Sequence, residues 1–307
     1  MKNIGLLFPG QASQKVGMGK NLYNKTELGK SYFNLANDIM GYDLKSIIFE
    51  GPDEILKKTE YTQPAIFIVS VILGELLIEN IGNPKISAGH SLGEYSSLAI
   101  AKAFSFEEGL SLVKVRSESM AKAGKIQEGT MAAIIGLDKN KLKKTCDDYK
   151  GSGVVTIANY NSPSQIIISG SPIAVEAIMN QSKEAGAKLT SKIKVSGAFH
   201  SPLMKPARES LAEMINSIQI SSIKYPIITN VKAKPVTDKT KIKDSLIKQL
   251  ENPVLWNQTI LYMKNYKIEN FIEVGPGKVL QNLNKRIIKS IPCLGINCFA
   301  DLKNINV

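Results

Sequence analysis

Short apolar runs alternate with longer amphipathic stretches along the chain, and this pattern predicts strands connected by helices. Residues 4–8 form an apolar run typical of a buried strand. The segment after it, Pro9-Gly10-Gln11-Ala12-Ser13-Gln14, is a loop of small and polar residues whose backbone N–H groups could face a ligand. A second strand, at residues 85–88, leads into Gly89-His90-Ser91-Leu92-Gly93 and a helical pattern that ends near Ala101. A strand followed by a glycine-containing turn and a helix is typical of α/β folds.

The pattern changes between residues 130 and 195, where short strands alternate with two helices. The predicted elements there are strand 131–136, helix 138–149, strand 154–158, strand 165–169, helix 172–185 and strand 188–195. This β-α-β-β-α-β order is that of a ferredoxin-like unit. We therefore predict an α/β fold in which a hydrolase-like large domain with a parallel sheet, residues 1–127 and 197–307, carries an inserted ferredoxin-like small subdomain, residues 128–196.

The remaining predicted elements belong to the large domain. They are helices at 32–40, 63–79, 106–120, 201–218 and 242–250, and strands at 227–230 and 271–274.

The composition is that of a soluble globular protein, because 43% of the 307 residues are hydrophobic and 21% are charged. The most apolar stretch, residues 65–78, is shorter than the roughly 20 residues that a membrane span needs, and Glu75 interrupts it. The apolar run near the N-terminus is too short for a secretory signal. We therefore expect a cytoplasmic protein without a membrane partner.

Cysteine, histidine and charge narrow the possible chemistry. Three cysteines and two histidines without zinc-ligand spacing predict neither structural disulfides nor a metal site. The net charge of +12 favours an acidic partner, an anionic substrate or a nucleic acid. Only three arginines occur, and the lysines are scattered instead of clustering with aromatic residues, which argues against nucleic-acid binding.

The Gly89-x-Ser91-x-Gly93 sequence lies where the pattern places a sharp turn from strand to helix, which is the context of a nucleophile elbow. The alternative is a tight turn that merely contains a serine. A serine nucleophile needs a base, and histidine is the usual one. His90 adjoins Ser91, where neighbouring side chains diverge, so His200 is the better candidate, although a structural role for it stays open.

The surroundings of the two residues suggest how they would work. No acidic residue between Ser91 and His200 lies in an evident strand-end loop, which favours a Ser-His dyad oriented by an amide or a backbone carbonyl. The N–H groups of Leu92 and of Gln11 are the candidate oxyanion donors. Arg116 lies on an otherwise apolar helix stripe, so its guanidinium extends to the surface or points into a cleft, where it would bind a carboxylate.

Six segments together resemble the malonyl-CoA:acyl carrier protein transacylases over nearly the whole chain. They are Phe8-Pro9-Gly10-Gln11-Ala12-Ser13-Gln14, Gly89-His90-Ser91-Leu92-Gly93-Glu94-Tyr95, Arg116, Asn159-Tyr160-Asn161-Ser162-Pro163, Gly197-Ala198-Phe199-His200-Ser201-Pro202 and Glu273-Val274-Gly275-Pro276-Gly277. The resemblance implies that Ser91 takes malonyl from coenzyme A as an ester and passes it to the phosphopantetheine thiol of acyl carrier protein. The substrates would be malonyl-CoA and the phosphopantetheinylated carrier, with no bound cofactor and no metal.

The resemblance also assigns roles to individual residues. It implies that His200 is the general base and acid, that the N–H groups of Gln11 and Leu92 form the oxyanion hole, and that Arg116 holds the malonyl carboxylate. Gln249 matches the position that helps to orient the histidine. We expect a monomer that supplies fatty-acid elongation.

Some positions and alternatives qualify this interpretation. Ala12 and Ser164 occupy positions where relatives commonly have glycine, which questions the backbone conformation of those turns. Phe199 resembles the residue of malonyl-selective members.

A free-standing acyltransferase of a polyketide synthase would share every motif, whereas a serine thioesterase would have no use for Arg116. A noncatalytic lysine-rich binding protein would not depend on Ser91.

Overall fold

Two β-sheets organise the computed structural model of the protein, which describes residues 3–305. The strands in this part of the chain are β1 Ile4–Phe8, β2 Ile86–Gly89, β3 Thr130–Ile135, β4 Val155–Ser162, β5 Gln165–Gly170, β6 Leu189–Ile193, β7 Ile227–Ile228, β8 Pro235–Val236, β9 Asn270–Val274 and β10 Cys293–Ile296. The helices are α1 Lys20–Lys25, α2 Glu27–Met40, α3 Leu44–Glu50, α4 Asp53–Leu56, α5 Thr59–Ile81, α6 Gly93–Ile100, α7 Phe106–Ile126, α8 Lys139–Asp147, α9 Pro172–Glu184, α10 Lys205–Ser217, α11 Lys239–Gln249, α12 Trp256–Asn265, α13 Val279–Ile287 and α14 Phe299–Leu302. A 3₁₀ turn, Pro202–Met204, precedes α10.

The larger sheet has the strand order β10-β9-β1-β2-β7-β8, and all its pairs are parallel except β7 with β8. Its two central strands, β1 and β2, run side by side with Phe8 opposite Gly89. Parallel neighbours end at the same edge of a sheet, where α/β proteins build their sites. The register therefore brings the loop after β1 against the turn after β2.

Helix α5 is the central helix of the core. It is 23 residues long and apolar enough to cross a membrane by length and composition, but 67% of its most apolar window is buried inside the fold. Side chains are buried around almost its whole circumference between Thr59 and Leu77, as expected of a core helix. The helix is longer than the predicted segment 63–79, because its first turn lacks the apolar pattern from which the prediction started.

The smaller sheet is antiparallel, with the order β4-β5-β3-β6. Helices α8 and α9 pack on it around Ile134, Ile157 and Val175. This arrangement confirms the predicted ferredoxin-like unit inside an α/β fold, while its boundaries at residues 128 and 196 stay a prediction. The backbone N–H of Tyr160 in β4 donates to the carbonyl of Val254 at 2.9 Å, which ties the small sheet to the segment before α12.

A capping box fixes the start of α7. The Ser105 hydroxyl accepts from the Glu108 N–H at 3.1 Å, and the Glu108 carboxylate accepts from the Ser105 N–H at 2.8 Å. The helix extends to Ile126, six residues past the predicted end, and packs against α5 and α10. Arg116 lies near its middle.

Candidate active site

Ser91 occupies a sharp turn between β2 and α6. Its φ of 52° is in the left-handed region. This conformation is unfavourable for any residue other than glycine, and it is maintained only where the surrounding structure enforces it. A Cβ on Gly89 would lie 1.8 Å from the carbonyl carbon of Gly93, and one on Gly93 would lie 2.0 Å from the carbonyl oxygen of Phe8. Both glycines are therefore required by close backbone approach. The turn presents the Ser91 hydroxyl at the edge of the sheet.

The structure brings Ser91 and His200 together although 109 positions separate them. The Oγ atom of Ser91 lies 2.8 Å from Nε2 of His200, and Nδ1 of His200 lies 2.8 Å from the main-chain oxygen of Gln249. A carbonyl oxygen only accepts, so Nδ1 carries the hydrogen and Nε2 accepts from the Ser91 hydroxyl. Burial, and next the positive charge of Arg116, lower the pKa of His200 to about 3. The imidazole is neutral at neutral pH.

Arg116 points into the site and not to the surface. Its side chain is buried at 1% exposure, and its guanidinium lies 5.3 Å from the centre of the Tyr95 ring. One terminal nitrogen donates to Oε1 of Gln63, and the other donates to Oγ of Ser91 at 3.0 Å and to Oε1 of Gln249 at 2.9 Å. Burial lowers the pKa of this guanidinium. The arginine therefore places a donor beside the serine hydroxyl.

The loop after β1 lies directly against the elbow. A Cβ on Gly10 would lie 2.5 Å from the carbonyl oxygen of His90. The next residue, Gln11, accepts a hydrogen bond from the Thr59 hydroxyl at 3.1 Å through its side chain. Within residues 3–305, the backbone N–H groups of Gln11 and Leu92 donate to no other group. Two backbone donors are thus available at the loop and at the elbow.

The two turns that the sequence singled out differ in conformation. Ala12 has φ of 80°, so an alanine occupies a left-handed position that favours glycine. Its N–H donates to the Gln14 side chain at 2.8 Å, which helps to hold the turn. Ser164 is outside the left-handed region and needs no glycine. The departure from glycine therefore affects the backbone only at Ala12.

His90, the other histidine, is directed away from the Ser91 hydroxyl. Its Nε2 lies 2.9 Å from the side-chain oxygen of Asn161 in β4, and its ring lies 5.5 Å from that of Trp256. Burial lowers its pKa. The contact with Asn161 connects the elbow to the small sheet.

Phe199 precedes His200 and belongs to the hydrophobic core, with 5% exposure. An edge carbon of its ring lies 3.3 Å from the position that a Cβ on Gly197 would occupy.

Across residues 3–305, histidine, cysteine, aspartate and glutamate form no group of three that could hold a metal ion.

The family comparison covers nearly all of this architecture. The profile of the family described as "Acyl transferase domain" matches residues 6–304. The chain belongs to this acyl transferase family. The match includes every residue of the site just described and both sheets apart from the first two residues of β1.

Three relatives are similar to this acyl transferase over at least 94% of their own length. A curated malonyl CoA-acyl carrier protein transacylase from Bacillus subtilis is 42% identical over 298 residues, which cover 97% of this chain and 94% of the relative. The crystal structure of an acyl carrier protein S-malonyltransferase from Vibrio cholerae superimposes with a TM-score of 0.94 at 39% identity, over 99% of this chain and 100% of that one. The structure of a malonyl-transacylase in complex with its type II polyketide synthase acyl-carrier protein superimposes with a TM-score of 0.93 at 35% identity, over 99% of this chain and 98% of that one.

Sequence reasoning missed three residues that contact the site of this acyl transferase. Gln63 in α5 accepts from Arg116, Asn230 after β7 accepts from the Ser91 N–H at 2.7 Å, and Glu94 in α6 accepts from Gln249 at 2.7 Å. They lie on separate elements that only the fold brings together. Glu94 alone had a signal in the sequence, because it is the one charged residue of α6.

Proposed function

We propose that the chain transfers malonyl from coenzyme A to the phosphopantetheine thiol of acyl carrier protein through an ester on Ser91. One observation supports this most strongly: the Ser91 hydroxyl lies within hydrogen-bond distance of both a neutral imidazole, at 2.8 Å, and a buried guanidinium, at 3.0 Å. The imidazole provides the base that a serine nucleophile needs. The guanidinium provides a partner for a substrate that carries a carboxylate one methylene away from its reacting carbonyl.

In the first half-reaction, Oγ of Ser91 attacks the thioester carbonyl of malonyl-CoA and its proton moves to Nε2 of His200. The oxyanion of the tetrahedral intermediate accepts hydrogen bonds from the N–H groups of Gln11 and Leu92. The carbon–sulfur bond then breaks, and the departing thiolate takes the proton from His200. The products are free coenzyme A and malonyl-Ser91.

The second half-reaction runs the same steps in reverse on a new thiol. The phosphopantetheine thiol gives its proton to His200, and its sulfur attacks the ester carbonyl. Oγ of Ser91 leaves and takes the proton back, which restores the free enzyme. This exchange needs a nucleophile, a base and oxyanion donors, and it changes no oxidation state.

Two residues would determine which acyl group enters. The Arg116 guanidinium makes charge-assisted bonds to the free malonyl carboxylate, a contact that an acetyl group lacks. Phe199 would limit the room beside the malonyl methylene and so disfavour branched units. Gln249 contributes its carbonyl to His200 and its side chain to Arg116.

Several properties of the chain in solution belong to the same proposal. We propose that it acts as a monomer, because the reaction as written needs no side chain from a second subunit. We place the enzyme in the cytoplasm, without membrane or nucleic-acid partners. The net charge of +12 suits an acidic carrier protein, and salt would weaken such an encounter.

A transfer assay tests the proposal against a serine thioesterase. The protein is mixed with malonyl-CoA, with and without phosphopantetheinylated carrier, and the malonyl-carrier and free malonate are quantified. We expect malonyl-carrier as the main product and a stable malonyl-enzyme when the carrier is absent. Rapid release of free malonate without the carrier would instead identify a thioesterase.

We propose fatty-acid elongation as the pathway that consumes the product. The relative solved with a type II polyketide synthase carrier supports the competing assignment. Matched assays with a fatty-acid carrier and a polyketide carrier distinguish the two. A higher kcat/KM for the fatty-acid carrier is the expected result, and a clear preference for the polyketide carrier would reverse the assignment.

A further inference from the structure

Glu94 lies directly behind the site, fully buried in the first turn of α6. Its Oε2 atom accepts two hydrogen bonds, from Nε2 of Gln249 at 2.7 Å and from the backbone N–H of Asn230 at 3.0 Å. Its Oε1 atom has no hydrogen-bond partner within residues 3–305. A buried carboxylate is costly, so its presence needs a reason.

The first bond of Glu94 fixes the Gln249 side chain. The Gln249 amide donates to Glu94 and to the Ser91 carbonyl at 3.1 Å, and its oxygen accepts from Arg116 at 2.9 Å. A reversed amide would set its NH₂ against the guanidinium and its oxygen against the carboxylate. Glu94 therefore permits only the orientation in which Gln249 accepts from Arg116.

The second bond of Glu94 fixes Asn230, which holds the elbow on both sides of Ser91. The Asn230 side chain accepts from the Ser91 N–H at 2.7 Å and donates to the Gly89 carbonyl at 2.6 Å. The left-handed conformation of Ser91 needs such support from its surroundings. One oxygen atom of Glu94 thus holds the residues that orient both the nucleophile and the guanidinium.

We propose that Glu94 is a positioning residue for acyl transfer, which aligns Ser91 through Asn230 and Arg116 through Gln249 by means of its acceptor oxygen and not its charge. The inference rests on the transfer reaction proposed above. A proton on the carboxyl would sit at Oε1, where no donor is displaced, and would leave Oε2 free to accept both bonds. Burial raises the pKa of Glu94 to about 7, so this neutral form exists near neutral pH.

Four variants test the proposal. Glu94→Met keeps the length of the side chain and removes the acceptor, Glu94→Ala removes the acceptor and cannot clash, and Glu94→Gln keeps an acceptor oxygen without the charge. Glu273→Leu is the matched control, because Glu273 is also a buried carboxylate that accepts N–H groups, from Leu280 and Gln281 at the start of α13. Loading from malonyl-CoA and acetyl-CoA is measured in single turnovers, together with Tm.

We expect Glu94→Met and Glu94→Ala to slow malonyl loading by roughly 10- to 100-fold, since small misplacements of reacting groups cost up to about 10²-fold. The ratio of malonyl to acetyl loading should fall as well, because Arg116 loses its support. Glu94→Gln should load within about threefold of the parent at every pH between 6 and 8. Glu273→Leu should lower Tm and leave both loading rates unchanged.

If Glu94→Gln slowed malonyl loading as much as Glu94→Met does, the claim that an acceptor oxygen without a charge suffices for positioning would be overturned. Folded Met and Ala variants that load at the parent rate would overturn positioning altogether. The double variant Glu94→Met with Gln249→Met tests whether the two residues act together. A fold-loss of malonyl loading rate smaller than the product of the two single fold-losses supports positioning of Arg116 by Glu94 through Gln249, and a loss equal to that product contradicts it. Failure of the parent itself to load malonyl would refute the proposed function and with it this role of Glu94, whereas the variants test the role alone once the parent loads malonyl.

Discussion

The main-chain oxygen of Gln249 lies 2.8 Å from Nδ1 of His200, where many serine enzymes have a carboxylate. A carbonyl dipole fixes the tautomer and the ring orientation without adding a negative charge. Burial, and next the positive charge of Arg116, lower the pKa of the imidazole to about 3. The Gln249 side chain takes no part in this contact and is free to bond to Arg116 and Glu94.

Replacing Gln249 with alanine separates the two contributions of this residue. The carbonyl remains, so His200 keeps its orientation, while Arg116 loses one acceptor. Hydrogen bonds to charged groups contribute about 1.5–3 kcal/mol, so we expect malonyl kcat/KM to fall roughly 10- to 100-fold and acetyl kcat/KM much less. An equal loss on both substrates would show that the side chain supports the dyad instead.

The low pKa of His200 predicts an unusual pH profile for loading. The base must be neutral, and an ordinary imidazole with a pKa near 6.5 would be half protonated at that pH. In this site, protonation of His200 should limit the single-turnover rate only as the pH approaches about 3. We therefore expect little loss of rate between pH 7 and pH 5. A half-maximal rate near pH 6.5 would contradict the buried, neutral histidine.

Arg116 should determine the preference for malonyl. A desolvated charge-assisted contact is worth on the order of 2–5 kcal/mol, which is roughly 30-fold to several thousand-fold in rate. Arg116→Ala should lose this much malonyl transfer, with acetyl transfer unchanged or improved. Arg116→Lys should restore only part, because an ammonium cannot form the planar fork. Equal losses with malonyl-CoA and acetyl-CoA would make Arg116 a structural residue.

Glu94→Gln should change how stability depends on pH. Burial raises the pKa of Glu94 from 4.5 to about 7, so its contribution to stability is fully present below pH 4.5 and is lost as the pH rises through 7. Between these two pKa values, each pH unit changes the free energy of unfolding by about 1.4 kcal/mol. The variant lacks this loss, so its stability relative to the parent should increase by roughly 3 kcal/mol between pH 4.5 and 8. Urea unfolding of both proteins measures it, and a difference independent of pH would contradict it.

The parts of the site that could be read from the sequence are those adjacent in it. The α/β class and the inserted ferredoxin-like order followed from apolar periodicity, and the five residues from Gly89 to Gly93 define a turn by themselves. Short helices such as α1, α3 and α4 are four to seven residues long and carry too little periodicity to detect. Helix α7 extends past its predicted end at Met120, because the six residues that follow, Ala-Lys-Ala-Gly-Lys-Ile, include only one large apolar side chain and carry little apolar periodicity.

The contacts among distant residues could not be predicted in the same way. Arg116 and Gln249 are 133 positions apart, and Ser91 and Asn230 are 139 apart. The parallel pairing of β2 with β7 brings Ser91 near Asn230, and the packing of α7 against α6 and α10 brings Arg116 to the site. The direction of Arg116 was open in the sequence for this reason. Its burial followed from the fold.

The most direct test of the account locates the acyl group itself. The protein is exposed briefly to malonyl-CoA, quenched in acid and digested, and the modified peptide is identified by tandem mass spectrometry, with Ser91→Ala as the control. We predict a single malonyl ester on Ser91 that disappears when phosphopantetheinylated carrier is added before the quench, and no adduct on the folded variant. The same mass increment on Ser91→Ala, or an ester on another residue, would contradict Ser91 as the nucleophile.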